Sequence, residues 1–245
     1  MDDAVFTLLE KAELPGILPL PLEKLEDREL RKVKHGRSLK EYCWTMKPVF
    51  IEYLLNQHKE AEIIVYLDSD LYFFDDPVKL LRKARGWNVM VTTHKVNNQV
   101  NSGFLAYRRS RTTYRMLEWW KKRCTAWCYD RKEGRNFGDQ GHLDDMRKVF
   151  HGVSYINNPG ANVAPWNCHN YDFSVKNGKL YVGRCRLAFF HFSGFRIRRL
   201  GQGSFTFDAD VPCEVCGVYT REILRALDII NCIDHELEED FFKGI

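Results

Sequence analysis

Five apolar residues, Ile63–Leu67, run straight into Asp68-Ser69-Asp70. A run this short, β-branched and almost wholly apolar reads as a buried strand of a parallel sheet covered on both faces. Ligands of an open α/β sheet bind outside the carboxyl ends of its strands, and two carboxylates leave this strand at that end. Residues i and i+2 of an extended chain share a face, so Asp68 and Asp70 can converge. Converging carboxylates repel unless a cation lies between them. Mg²⁺ or Mn²⁺ suits such oxygen ligands and bridges to phosphate oxygens. The other reading is a solvated turn with strand-capping aspartates, and the flanking hydrophobicity argues against it.

The pattern around this strand predicts an α/β fold. Helices are expected over Val5–Leu14, Leu25–Val33 and Ser38–Asn56, the last interrupted by Pro48. Further helices are expected from Pro77 to about Arg85, over Arg111–Cys128, over Asp139–Val149, and over Tyr219–Ile230 with Thr220 as N-cap. Strands are expected at Asn88–Thr93, Asn101–Tyr107, Val153–Ile156 and Arg186–Phe192, with 157–185 irregular. An acidic tail carries Glu236, Glu238, Glu239 and Asp240. No repeat or long linker divides the 245 residues, so one domain over 1–245 is expected, with its core at about 37–195 and a C-terminal helix and tail at 219–245.

Composition narrows the function. With 37 Lys and Arg against 33 Asp and Glu, the net charge of +4 is too small to argue for nucleic acid. The N-terminus is acidic where a signal peptide is basic. No apolar run approaches the roughly 20 residues a bilayer needs. A cytoplasmic protein is expected, with its eight cysteines reduced. Cys213 and Cys216 have zinc or redox spacing, but no further ligand pair follows.

Three other motifs bear on chemistry. Asn101-Ser102-Gly103 opens a strand, and its glycine lets another group approach the backbone; it also reads as a plain loop. Gly138-Asp139-Gln140 opens a helix, where Asp139 reads as an N-cap and Gln140 points into the first turn, where it could face a ligand. His191 follows the apolar pair Phe189-Phe190 and precedes Phe192-Ser193-Gly194. It reads either as a core histidine or as a group that completes a metal site.

In this order, these motifs resemble nucleotide-sugar glycosyltransferases of the GT-A fold, a three-layer α/β/α fold with a mixed, mostly parallel sheet. Asp68-Ser69-Asp70 is that fold's D-x-D. Asn101-x-Gly103, Asp139-Gln140 and His191-x-x-Gly194 resemble the retaining branch that includes glycogenin-like enzymes and lipopolysaccharide galactosyltransferases. Arg37-Ser38, Glu41–Trp44 and Ala164–Asn167 are similar to an uncharacterised bacterial group of the same fold. The resemblance covers about residues 37–195. The family's opening strand-helix-strand, which helps bind the base, has no counterpart before residue 37, as in an N-terminally truncated version of the fold.

The resemblance implies a metal-dependent hexosyltransferase. Asp68, Asp70 and His191 would hold Mn²⁺ or Mg²⁺ on the diphosphate of a UDP-sugar, with Asp68 also near the ribose. Gly194 would lie against the phosphates. Asn101, Ser102, Gly103 and Arg37 would form the rest of the donor site, with Asn101, Ser102 and Asp139 bonded to the sugar. Gln140 would sit beneath the anomeric carbon, so Gln140 and Asp139 are the catalytic candidates. Where the branch has a lysine after His-x-x-Gly, this chain has Ile197, leaving Arg196, Arg198 or Arg199 for the phosphates. Where relatives carry an arginine after the helix tyrosine, Trp44 stands here, and Lys47 is the alternative.

The acceptor would be a carbohydrate or a glycolipid. Trp44 and Trp166 read as sugar-stacking or core residues. Arg108, Arg109, Arg111 and Lys121–Arg123 read as a solvated helix face or as a peripheral contact with the inner face of an anionic membrane. Three rivals stand beside the transferase: a nucleotide-sugar-binding module without turnover, a phosphatase of the haloacid dehalogenase type, and an interaction domain. The phosphatase needs its Gly-Asp at a strand end.

Overall fold

The computed structural model describes residues 3–82, 86–96, 98–199, 205–207 and 211–233. In chain order the helices and strands are α1 (Asp3–Ala12), α2 (Arg28–Lys34), α3 (Leu39–Gln57), β1 (Ile63–Leu67), β2 (Leu71–Phe73), α4 (Val78–Leu81), β3 (Val89–Thr93), β4 (Val100–Arg108), α5 (Arg111–Ala126), α6 (Gln140–Val149), β5 (Val153–Tyr155), β6 (Phe173–Lys176), β7 (Lys179–Val182), β8 (Cys185–Arg186), β9 (Phe189–His191), β10 (Ile197–Arg199), β11 (Phe205–Phe207) and α7 (Cys213–Ile233).

The central sheet has the order β1-β4-β3-β5. β4 pairs antiparallel with both β1 and β3, and β3 pairs parallel with β5. β1, β3 and β5 therefore point one way and β4 alone runs against them, which is the mixed, mostly parallel α/β sheet expected. β3 and β4 are buried almost end to end. Successive β4 side chains alternate between two cores, as a pleated strand requires. Leu105 and Tyr107 enter the core under α3, α5 and α6, while Phe104 and Ala106 enter the one beneath α4. That second flank is completed by the two-stranded pair β2–β9, with the sheet β6-β7-β8 and α7 packed around a further core behind it.

Several expectations are corrected. β1 is an edge strand paired antiparallel with β4, so it is only half-buried, with Leu67 at 42% exposure, although Ile64 and Tyr66 pack on one core and Ile63 and Val65 on the other. Pro48 does not interrupt α3. It removes one backbone donor, but a capping box between Ser38 and Glu41 starts the helix and buried Ile51 and Leu55 hold it beyond the proline. The irregular stretch 157–185 contains the β6–β7 hairpin, turned at Asn177-Gly178 with φ of 50° and 69°. Both residues adopt the left-handed backbone that a two-residue hairpin turn demands. The expected strand 186–192 is split into β8 and β9, which join different sheets. The last helix starts at Cys213, so Thr220 lies inside it, and the acidic tail lies outside the described residues.

Trp120 joins this packing to the start of α6. It is fully buried, stacks on Tyr107 at 6.4 Å, and donates from Nε1 to the Asp139 carbonyl at 3.1 Å. Nearby, His142 Nε2 lies 2.8 Å from the Trp127 carbonyl, while its Nδ1 is buried without a hydrogen-bond partner. A carbonyl only accepts, so Nε2 carries the hydrogen. Burial holds this imidazole below its usual pKa, and the Trp127 bond offsets that only in part. Because the folded value lies below the unfolded one, stability is complete above about pH 6.5. It falls as the unfolded chain takes up protons first. Urea midpoints are therefore expected to drop from pH 7.5 to pH 5.5, and His142→Gln to flatten the drop. A midpoint constant over that range would contradict this placement.

Candidate active site

The site lies at the carboxyl ends of β1 and β3, where β4 begins. Asp68 leaves β1 with its backbone N–H donating to the Gly103 carbonyl at 2.8 Å. Ser69 turns the chain into β2, whose Leu71 pairs with His191 of β9. The Asp70 carbonyl accepts from Phe192 N–H, and the Val163 carbonyl from His191 N–H, each at 2.7 Å. The pairing of two short strands thus brings His191 Nε2 to 3.0 Å from Asp70 Oδ1. Ligand atoms of Asp68, Asp70 and His191 all lie within 4.8 Å of one another, the single such cluster among the described residues.

Each member is held from behind. His191 Nδ1 lies 3.2 Å from Asn162 Oδ1, and Asn162 Nδ2 donates to the Thr93 carbonyl at 2.9 Å. The amide is thereby oriented with its oxygen toward the ring, so Nδ1 is the donor and Nε2 faces Asp70. Asn162 is fully buried and holds φ at 55°. Asp68 Oδ1 accepts from the Tyr66 hydroxyl at 2.8 Å and lies 2.9 Å from Lys47 Nζ. Burial and the Asp68 charge push the Tyr66 phenol up, so it stays a donor. Burial opposes the charge on Asp70, but the His191 bond and charge and the Lys47 charge outweigh it and hold the carboxyl below its usual pKa.

Lys47 links the cluster to the second group of expected residues. Its side chain is 3% exposed, and Nζ donates to Ser102 Oγ at 3.0 Å and lies 3.7 Å from Asp139 Oδ2. Burial works against the ammonium, yet Asp139 and Asp68 raise its pKa above the ordinary lysine value. Asp139 occupies the N-cap position of α6, but its side chain makes no capping bond there. Its carboxyl is buried and points toward Lys47, with Oδ2 left without a hydrogen bond. Burial raises its pKa, and Lys47 and a Ser102 hydrogen bond offset this only in part. Gln140 Oε1 lies 3.3 Å from His94 Nε2. The His94 ring is 5.1 Å from that of Trp166, whose edge also meets His191 at 5.2 Å.

The structure thus gathers Asp68, Asp70, His191, Ser102 and Asp139, with Gln140 next to Asp139. Asn101 is buried at the start of β4, where its Oδ1 accepts from Gly103 N–H at 3.1 Å, and Gly103 lies against the His191 ring. Gly194 is exposed, with φ of 76°. Arg37 is placed differently. Its guanidinium bonds Thr45 and the Thr125 carbonyl and lies over the Tyr129 ring. Arg198 and Arg199 lie in β10, and their side chains are outside the described set. Tyr66, His94 and Asn162 were not expected from the sequence. Tyr66 had a signal, since it shares a strand face with Asp68. Asn162 and His94 had none, because their partners are remote in sequence.

One alternative falls. The segment before Gly138-Asp139 forms a turn bridging Glu133 and Asn136, not a strand, so the phosphatase requirement is unmet. Five of the basic groups have protein partners. Arg109 bonds the Leu55, His58 and Ala61 carbonyls, Arg108 lies over Trp87, Lys121 and Lys122 pair with Glu52 and Glu118, and Arg123 lies over Trp119. Among the described residues no helix is long and apolar enough to cross a membrane.

No family model matches the chain. Among solved structures it is similar to the crystal structure of a glycosyltransferase involved in the glycosylation of the major capsid of PBCV-1. That match has a TM-score of 0.45 and 12% identity over 79% of this chain and 89% of the other. Among curated proteins of Bacillus subtilis (strain 168), it is 34% identical to uncharacterized protein YfnF over 214 residues, which are 80% of this chain and 71% of YfnF. It is 30% identical to uncharacterized protein YfnD over 209 residues, 80% of this chain and 67% of YfnD. Identity at this level over most of both chains means that the protein belongs to the family of YfnF and YfnD.

Proposed function

We propose that the chain is a divalent-metal-dependent glycosyltransferase of the hexosyltransferase type. It moves a sugar from a nucleoside-diphosphate sugar of the UDP class to a hydroxyl of a carbohydrate or glycolipid, with retention. A lipopolysaccharide-type acceptor would bring it to the inner face of a membrane. One observation carries the reading: Asp68, Asp70 and His191 converge at the carboxyl end of β1. Two carboxylates and an imidazole suit Mn²⁺ or Mg²⁺. Asp70 Oδ1, 3.0 Å from His191 Nε2, stands where a shared ion would meet both ligand atoms.

A bound divalent ion supplies positive charge for the leaving diphosphate without a proton donor. The chain's own residues do the rest. Asn162 fixes the His191 ring, and Tyr66 holds Asp68. Asn101, Ser102 and Asp139 hydrogen-bond the donor sugar, with the Gly103 backbone beside them. The Gly194 backbone lies along the phosphates. Gln140 presents an uncharged amide beneath the anomeric carbon, where an oxocarbenium-like transition state tolerates neutral or anionic groups. Arg37 supports the donor site by tying α3 to the end of α5.

Thermal shift with UDP, GDP and their sugars, with and without Mn²⁺, tests this reading. Metal-dependent stabilisation by a nucleoside diphosphate is expected, together with slow donor hydrolysis. Stabilisation by no nucleoside diphosphate under any metal condition sinks the proposal. Binding without turnover reduces the protein to a sugar-nucleotide binder. NMR of the fresh product checks retention.

A further inference from the structure

Lys47 is one ammonium between two carboxylates, which it holds unequally. Nζ lies 2.9 Å from Asp68 Oδ1 and 3.3 Å from Oδ2, so it grips both oxygens of a residue in the metal cluster. Asp139 Oδ2 stands 3.7 Å from the same nitrogen in a side chain that is 3% exposed, and that oxygen itself has no hydrogen bond. Water is largely excluded from both, so the orphan oxygen has no solvent to turn to. Asp68 does not depend on Lys47 alone, because Tyr66 also donates to it. Ser102 Oγ, 3.0 Å from Nζ, lies within reach of the ammonium on this path. A lysine stem is flexible, and its ammonium is a point charge with rotatable donors.

We propose that Lys47 is a positioning residue with two seats. When a divalent cation takes Asp68, the ammonium moves by about 1 Å onto Asp139, a step set by ordinary hydrogen-bond length. Like charges repel, so the arriving ion disfavours the first seat, and the unpartnered oxygen supplies the second. Ion binding at Asp68 thereby orients Asp139, the carboxylate assigned to the donor sugar. This inference rests on the metal site proposed above.

The test is Mn²⁺ affinity, measured by calorimetry or electron paramagnetic resonance on the whole chain without nucleotide. Asp139→Asn removes the second seat although Asp139 is not in the ligand cluster. It is expected to weaken Mn²⁺ binding about 10-fold, within the usual range of coupling between sites. The double variant K47M/D139N removes the competing ammonium and leaves no unpaired buried charge. It is expected to bind Mn²⁺ more than 10-fold more tightly than D139N, beyond the usual error of additivity. A crystal structure with Mn²⁺ is expected to show Nζ within hydrogen-bond distance of Asp139 and farther from Asp68. If D139N binds Mn²⁺ as the natural protein does, or the double variant binds no tighter than D139N, the two-seat proposal is overturned while the metal site stands. If the natural protein binds no Mn²⁺, both readings fall.

Discussion

Asp70→Asn is expected to give a folded protein that no longer responds to divalent ions. The Asp70 side chain is 40% exposed, and its partner is a single histidine. Ion pairs at that exposure contribute about 0–1 kcal/mol, so the fold is retained. The loss falls on the cluster, because an amide offers one neutral oxygen where the carboxylate offered two charged ones. In the natural protein, Mn²⁺ with UDP at about 100 times their dissociation constant adds about 2.7 kcal/mol. For a chain of this size that is a rise in Tm of about 5–10 °C. The variant is expected to show less than about 1 °C on the same scale. Sugar transfer is expected to fall by about 100- to 1000-fold, as when one electrostatic contact to a transition state is removed. Differential scanning fluorimetry measures the first effect and donor hydrolysis the second. A variant that keeps the full Mn²⁺ shift would remove Asp70 from the metal site.

Gly103→Ala reaches the same site without changing any polar group. An alanine Cβ there would stand 2.6 Å from His191 Cε1, 2.9 Å from its Nδ1 and 3.0 Å from Asn101 Oδ1. The ring has no easy retreat. Asn162 holds one nitrogen, Asp70 faces the other, and Trp166 closes the side. The His191 backbone is fixed by its N–H bond to Val163 and by pairing with Leu71. Overpacking of this kind costs about 1–3 kcal/mol. Turning the imidazole is expected to weaken Mn²⁺ binding about 10- to 100-fold, as when a ligand loses its supporting contact. Urea denaturation and Mn²⁺ titration check the two numbers. Unchanged Mn²⁺ affinity would show that the ring is free to move, or that His191 is not a ligand.

The elements most legible in the sequence were those whose own period is strong. β3, β4, α3 and α5 lie within a residue or two of their expected bounds, because a buried strand or an amphipathic helix writes its burial into neighbouring positions. The β6–β7 hairpin was missed although Asn177-Gly178 is a turn signal, because its strands are short and weakly apolar. The split between β8 and β9 had no local mark. It follows from Ala188 and Phe189 bonding the Gly160 carbonyl, a contact with a distant loop.

The site divides along the same line. Sequence alone determined that two aspartates end an apolar strand, and the ordered motifs, through the resemblance they carry, marked out His191, Ser102, Asp139 and Gln140. Tertiary structure decided which of these meet and what holds them: Leu71 paired with His191, Asn162 behind the imidazole, and a buried ammonium on α3 between Asp68 and Asp139. Those contacts join residues far apart in the chain. They are set by how strands pair and helices pack, and local propensity carries no record of either.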